Sequence, residues 1–149
     1  MLKVDQVPVR VKLRVKARST GCNVETVALV NSGFVTEKPQ LLIPKRLAEK
    51  LGIWPPPPTS VVVEFGTAGG PIRNFVVPEE LEVSIIESDR ETKPVICDAV
   101  ISHVEEEVLI NDKLGEELGI IILGLASGKW KLIDDPADKV RETYPPQYW

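Results

Sequence analysis

Hydrophobic and polar residues alternate along the first part of the chain. From Val9 to Val15 every second residue is valine or leucine, and cations stand between them. This period of two predicts a β-strand with one buried face and one face in water. We expect the cations to lie on a solvated face, with a patch for an anionic partner as the alternative. The cations are Arg10, Lys12, Arg14 and Lys16.

Short apolar runs separated by turn residues continue along the chain and predict a mostly β protein. The first strand is followed by a turn over 18–23 and by a returning strand over 25–30, and this hairpin ends at Asn31. Two short helices are expected, one over about 45–51 and one that begins after Asn111 or Asp112 and ends near Gly119. The other predicted strands cover 61–65, 72–77, 81–86, 95–102 and 107–110.

An internal repeat relates two segments, 41–53 and 108–120. Seven residues of the first copy recur unchanged in the second, namely Leu42, Ile43, Leu47, Glu49, Leu51, Gly52 and Ile53 as Leu109, Ile110, Leu114, Glu116, Leu118, Gly119 and Ile120. Each copy predicts a strand, a short turn and a helix with one apolar stripe that ends at glycine. Two such copies imply a domain with approximate internal two-fold symmetry.

Composition narrows the classes of function. The chain of 149 residues suits one domain, and its net charge of −4 gives no reason to expect nucleic acid as a partner. We expect no membrane partner and a cytoplasmic location, because no apolar run approaches the roughly 20 residues that span a bilayer and no signal peptide is evident. Low Asn, Gln, Met and Cys beside abundant Glu, Lys, Val and Pro hint at a thermophile.

Cofactor chemistry has no support in the residues. The chain contains one histidine, His103, and two cysteines, Cys22 and Cys97, without a cluster of the kind that binds zinc. No glycine motif of a nucleotide site occurs either, so we expect neither a metal nor another cofactor. Two separate thiols are the expectation for the cysteines, and a single bridge between them stays open. The acidic run 105–107 indicates a solvated turn.

The stretch 30–34 reads Val-Asn-Ser-Gly-Phe and directly follows an apolar run. A glycine-rich segment at 65–71 comes later, and the repeated strand–helix units lie at 42–52 and 109–119. In this order the segments resemble the retropepsin-like aspartic proteases, of the small single-lobe kind found in archaea and bacteria. The resemblance covers roughly residues 8–135 and includes two closing strands, 121–124 and 128–132.

The resemblance implies a closed retropepsin-like (acid protease) β-barrel over 1–135, with 136–149 as a C-terminal tail that is loose or docked. It also implies a homodimer that acts on a peptide or protein substrate, because each lobe of the family supplies one aspartate. The implied catalytic positions are Asn31, where the family has its aspartate, Ser32 and Gly33. The implied substrate-binding segment, the family's flap, comprises Phe65, Gly66, Thr67, Ala68, Gly69 and Gly70.

Two residues depart from the family pattern. Asn111 stands where the family often has glycine, which affects the turn before the second helix. Asn31 removes the carboxylate that would share a proton with its counterpart, since an amide does not accept that proton at ordinary pH. We therefore expect an aspartic endopeptidase fold without activity in this chain.

Several explanations of Asn31 stay open. The asparagine is either an inactivating replacement of an aspartate or the natural residue of a non-catalytic relative that binds peptides or serves a structural role. Deamidation at Asn-Ser would restore the carboxylate. A plain β-barrel interaction module, in which the Asn-Ser-Gly turn is a coincidence, is the reading from a different class.

Overall fold

The computed structural model describes residues 8–31, 33–67 and 69–149. Ser32 and Ala68, two of the predicted site residues, lie outside the described residues. The strands are β1 (Arg10–Ala17), β2 (Asn23–Val30), β3 (Gln40–Pro44), β4 (Val61–Thr67), β5 (Gly70–Ile85), β6 (Val95–Ser102), β7 (Val108–Ile110), β8 (Ile120–Gly124), β9 (Lys129–Leu132) and β10 (Arg141–Glu142). The helices are α1 (Lys45–Lys50) and α2 (Asp112–Glu117).

Six strands close into a barrel. They follow the order β1-β2-β7-β3-β6-β5, and β5 pairs with β1 from Leu13↔Ile85 to Ala17↔Leu81 to complete the ring. β4 extends the sheet beyond β5. The predictions of a mostly β chain, a closed barrel and two short helices are thus confirmed.

The order of the strands around the barrel differs from their order in the chain at β3 and β7. β7 lies between β2 and β3, and β3 lies between β7 and β6. The pairs β2–β7 and β3–β6 are parallel, whereas β3–β7 is antiparallel. Because β2 and β7 run parallel with Val30 beside Ile110, the chain leaves both strands at the same end of the barrel, at Asn31 and Asn111.

The barrel interior is apolar, as the alternation in β1 predicts. Val11, Leu13 and Val15 are fully buried there. The intervening cations do not all lie in water, because Arg10 is only 4% exposed. Its guanidinium pairs with the carboxylate of Glu107. The expectation of a solvated cation at position 10 and of a solvated acid at position 107 was therefore wrong, since two charges distant in sequence neutralise each other.

The hairpin of β4 and β5 is built differently from the prediction. Two strands were expected at 72–77 and 81–86, but β5 is one strand with an irregularity between Val77 and Leu81 where its register against β6 shifts. Glu79 at this irregularity has φ of 51°, a left-handed conformation. The part of β5 before it pairs with β4, and the part after it pairs with β1.

The closing strands occur where they were expected, as β8 and β9, but they pair with β10 in a separate sheet of three strands. Trp130 of β9 is fully buried against the barrel core. Part of the segment 136–149 lies along the barrel wall. Trp149 donates from its indole nitrogen to Thr26 Oγ1 at 3.0 Å, and its backbone N–H donates to the carbonyl of Glu106 at 2.8 Å.

Both helices are six residues long, and no helix in the described part of the chain has the length and apolar character to cross a membrane.

Candidate functional site

Three hydrogen bonds made by Asn31 hold the turn after β2 in place. The N–H of Asn31 donates to the carbonyl of Ile110 at 3.0 Å, which extends the parallel β2–β7 pairing by one residue. The Asn31 side-chain oxygen accepts from the N–H of Gly33 at 3.1 Å, and the Asn31 carbonyl accepts from the N–H of Phe34 at 3.1 Å. The Asn31 side chain is therefore held beside its own turn at the end of the strand.

This turn and the β4–β5 hairpin form one cleft, with a volume of about 280 Å³. Of the predicted site residues, Asn31, Gly33, Phe65 and Gly66 line it. Gly69 and Gly70 lie at the far end of the hairpin and do not line the cleft. The other lining residues among those described are Phe34, Val35, Leu42, Ile72, Asn74, Ser102, Val104, Glu105 and Leu109.

The floor of the cleft is a small apolar cluster, separate from the barrel core. Its buried members are Phe34, Leu42, Val76, Val100 and Leu109, with Leu29 and Phe65 packed against them. Phe34 and Phe65 meet edge to face, so the residue after the turn touches the hairpin directly. The cleft therefore offers apolar and aromatic walls to a ligand.

One face of the hairpin looks into the cleft. Phe65 pairs with Ile72 across the two strands, and Asn74 follows two residues after Ile72 on the same face. Asn74 is 4% exposed, and its Oδ1 atom has no hydrogen-bond partner. Sequence reasoning missed Asn74, because an asparagine within an alternating strand carries no signal of a binding role.

Polar groups of the cleft are mostly neutral. Glu105 is the only lining residue with an ionisable side chain among the described residues, and it is exposed at the rim. Ser102, at the end of β6, accepts with its hydroxyl oxygen from the N–H groups of Val104 and Glu105 at 3.2 and 3.0 Å. Asn31 can donate and accept hydrogen bonds, but its amide cannot take up a proton as a carboxylate does.

A buried polar network supports the loop that follows the turn. Asn111 is fully buried; its Oδ1 accepts from the N–H groups of Gln40 and Leu114, and its Nδ2 donates to Thr36 Oγ1 and the carbonyl of Lys38. It is the N-cap of α2 and also the anchor of residues 36–40. The sequence left Asn111 and Asp112 as alternative caps, of which the structure uses Asn111, and it did not predict the bonds to a loop some 70 residues earlier.

The other reactive side chains lie outside the cleft. Cys22 is exposed and Cys97 is buried, and both thiols are free, so the possible bridge between them is absent. Burial raises the pKa of the Cys97 thiol well above its usual range, assisted by the nearby charge of Asp98. The thiol is therefore protonated at neutral pH and unsuited to act as a nucleophile. His103 is exposed and is not a cleft residue.

Metal binding has no visible site in the described ranges, because no group of three or more His, Cys, Asp and Glu residues is arranged to hold an ion. A comparison of the chain with known protein families finds no matching family, and a comparison with curated proteins finds no match either.

Proposed function

We propose that the chain has the fold of a retropepsin-like aspartic endopeptidase, binds extended peptides as a homodimer, and does not cleave them because Asn31 replaces the aspartate. The observation that carries the proposal is that the Asn31 turn and the β4–β5 hairpin line the same cleft. Two segments that sequence resemblance assigns to catalysis and to substrate binding come together there, although more than 30 residues separate them.

The crossed strands support the internal symmetry that the repeat implies. Leu42 and Leu109, equivalent residues of the two copies, pair with each other in β3 and β7. A two-fold axis between them would relate Leu29, beside Leu109, to Val100, beside Leu42. It would then bring Asn31, which directly follows β2, onto Ser102, which ends β6, and both residues line the cleft.

The chemistry of a pair of carboxylates explains the predicted lack of activity. Two close carboxylates share one proton, so that one acts as base toward a water and the other as acid toward the peptide carbonyl. Asn31 supplies neither function, and Glu105 lies exposed on the turn after β6 rather than at the end of β2. Peptides should therefore bind without turnover.

The homodimer follows from the same chemistry, because one chain contributes one copy of the turn. Val35 and Val104, which line the cleft, are 67% and 53% exposed and give its mouth an apolar rim. Light scattering after size exclusion should give twice the mass of one chain, and Val35→Asp should shift it toward the monomer. Leu125→Asp, at another exposed apolar residue, is the control. A wild-type monomer at all concentrations would contradict the dimer.

The decisive experiment compares this chain with its Asn31→Asp variant in a peptide-library cleavage assay, between about pH 3 and 7, where a coupled carboxylate pair titrates. Cleavage by the variant alone, inhibited by pepstatin, would support an endopeptidase silenced at one residue. Peptide binding without cleavage by either chain would support the alternative, a natural non-catalytic peptide-binding relative. Neither binding nor cleavage would refute the proposal and favour an interaction module of another kind.

A further inference from the structure

The buried oxygen of Asn74 is unusual for this protein. Among the buried side-chain nitrogen and oxygen atoms of the described residues, it is the one that lacks a hydrogen-bond partner. A buried acceptor without a donor destabilises the folded state, and such groups are rare in native structures. Asn74 lines the cleft, so a ligand that turns its side-chain amide toward the cleft can supply the missing donor.

The surroundings of Asn74 limit the kind of donor. The hairpin face that carries it also carries Phe65 and Ile72, and Phe34 and Leu42 of the apolar floor line the same cleft. Aromatic side chains pack favourably against such walls through offset or edge-to-face contacts. Glu105, the ionisable lining residue among those described, is exposed at the rim, so an ammonium or guanidinium group beside Asn74 would lose its hydration against a neutral amide, which is unfavourable.

We propose that the cleft binds a peptide side chain that combines an aromatic ring with a donor, tyrosine or tryptophan, and that Asn74 Oδ1 accepts the hydrogen bond of its O–H or N–H. The aromatic and aliphatic walls hold the ring, and the Asn74 oxygen selects for the donor. Asn74 is then the specificity-determining residue of this cleft. The inference rests on the proposed function, since it names the side chain that the peptide ligand carries.

The proposed selectivity is a difference in affinity between a peptide with the hydroxyl group and one without it. A site built to bond a hydroxyl group discriminates against the analogue that lacks it, because the buried acceptor stays without a partner in the second complex. A tyrosine peptide should bind about ten to a hundred times more tightly than the matched phenylalanine peptide, the range that one unmade buried hydrogen bond implies.

The test uses the full chain and a library of capped hexapeptides, from which the tightest binder is selected. Its aromatic residue is then made tyrosine or phenylalanine, and both peptides are titrated against wild type and Asn74→Leu. We expect the preference for tyrosine in wild type to fall to about one in Asn74→Leu, with phenylalanine-peptide affinity kept. The variant should also unfold at the same or higher urea concentration, because it removes a buried acceptor without a partner.

Other outcomes separate this inference from the proposed function. If peptides bind but wild type and Asn74→Leu show the same ratio of affinities, the role of Asn74 is refuted and peptide binding stands. If the selected peptides carry no aromatic donor, the inference is likewise refuted. If no peptide binds, both proposals fail. Asn74→Ala, which removes the acceptor without adding volume, replaces Asn74→Leu should the latter not fold.

Discussion

The rings of Phe34 and Phe65 lie edge to face, with centroids 6.1 Å apart and planes inclined by 75°. Phe34 follows the Asn31 turn, and Phe65 stands near the end of β4. The contact therefore joins the end of the barrel to the hairpin above the cleft. It belongs to the apolar cluster that forms the cleft floor rather than to the barrel core.

This ring pair should contribute measurably to stability and to closure of the cleft. In a double-mutant cycle of Phe34→Leu and Phe65→Leu, we expect a coupling of about 0.5–1.5 kcal/mol, the range for aromatic pairs. Urea unfolding of the four proteins measures the coupling. Both single variants should also weaken binding of the selected hexapeptide, because each removes an aromatic wall.

The pair of Trp54 and Phe75 provides the matched control. Its rings are also edge to face, at 5.5 Å and 74°, but neither residue lines the cleft. Trp54→Leu should therefore lower stability without changing peptide affinity. If it weakens peptide binding as strongly as Phe34→Leu does, the special role of the Phe34–Phe65 contact is disproved.

Asn111→Ala should destabilise the protein strongly. The change removes the cap of α2 and leaves the buried N–H of Gln40 without its side-chain acceptor, with an expected loss of about 2–4 kcal/mol in the free energy of unfolding. Asn111→Asp keeps the acceptor and the cap but loses the bond that Nδ2 donates to the Lys38 carbonyl and buries a charge, so it should not restore wild-type stability. Chemical denaturation measures both, with the exposed residue Asn23→Ala as control. Equal stability of Asn111→Ala and Asn23→Ala would contradict the role given to Asn111.

The buried ion pair of Arg10 and Glu107 gives a further prediction. Its side chains are 5% and 11% exposed, so Glu107→Leu removes the carboxylate that pairs with a buried guanidinium and should lower the free energy of unfolding by more than about 1 kcal/mol. The double variant with Arg10→Met should recover much of the loss, because both charges are then removed. Lys12→Met, in an exposed pair with Glu25 at 3.8 Å, should cost less than about 1 kcal/mol. Thermal unfolding distinguishes these cases.

Acid should weaken the attachment of β10. Hydrogen bonds from Arg141 lower the pKa of Asp89 from 3.8 to about 2 and lower that of Asp135 well below its usual range. A lowered pKa adds stability that is present above the unfolded value and is lost as pH falls through the folded value. The stability difference between wild type and Arg141→Gln should therefore be largest near neutral pH and narrow below about pH 4.

Urea unfolding at a series of pH values from about 6 to 2 tests this dependence. Lys129→Gln, which breaks the exposed pair with Glu142, serves as the control and should give a curve parallel to that of wild type. A constant difference between wild type and Arg141→Gln down to pH 2 would show that the guanidinium does not act through these carboxylates.

Local patterns predicted the elements well. The alternation of β1, the glycine after each helix and the capping residue Asn111 all depend on neighbours within a few positions, and the structure contains the corresponding strand, helix ends and cap. Gly52 and Gly119 have φ of 77° and 81°, the left-handed conformation that ends a helix at glycine.

Contacts between distant segments were not predictable in the same way. The pairing of β1 with β5, the partner of Arg10 and the orphan oxygen of Asn74 each depend on which segments the fold brings together, which periodicity does not encode. The split of β5 into two predicted strands has a local cause. Pro78 and the two acidic residues after it interrupt the alternation. In the structure β5 continues through them as one strand, and its register against β6 shifts there.

That irregularity gives the hairpin a degree of modularity. Residues 81–85 of β5 close the ring against β1, and residues 70–76 of the same strand pair with β4. The two pairings thus lie on opposite sides of residues 78–80. We therefore expect insertion, deletion or exchange of sequence between Ser60 and Asn74 to leave the β1–β5 closure in place, because that closure is made by residues 81–85. The hairpin beside the cleft can thus be exchanged by grafting while the ring of six strands keeps its topology.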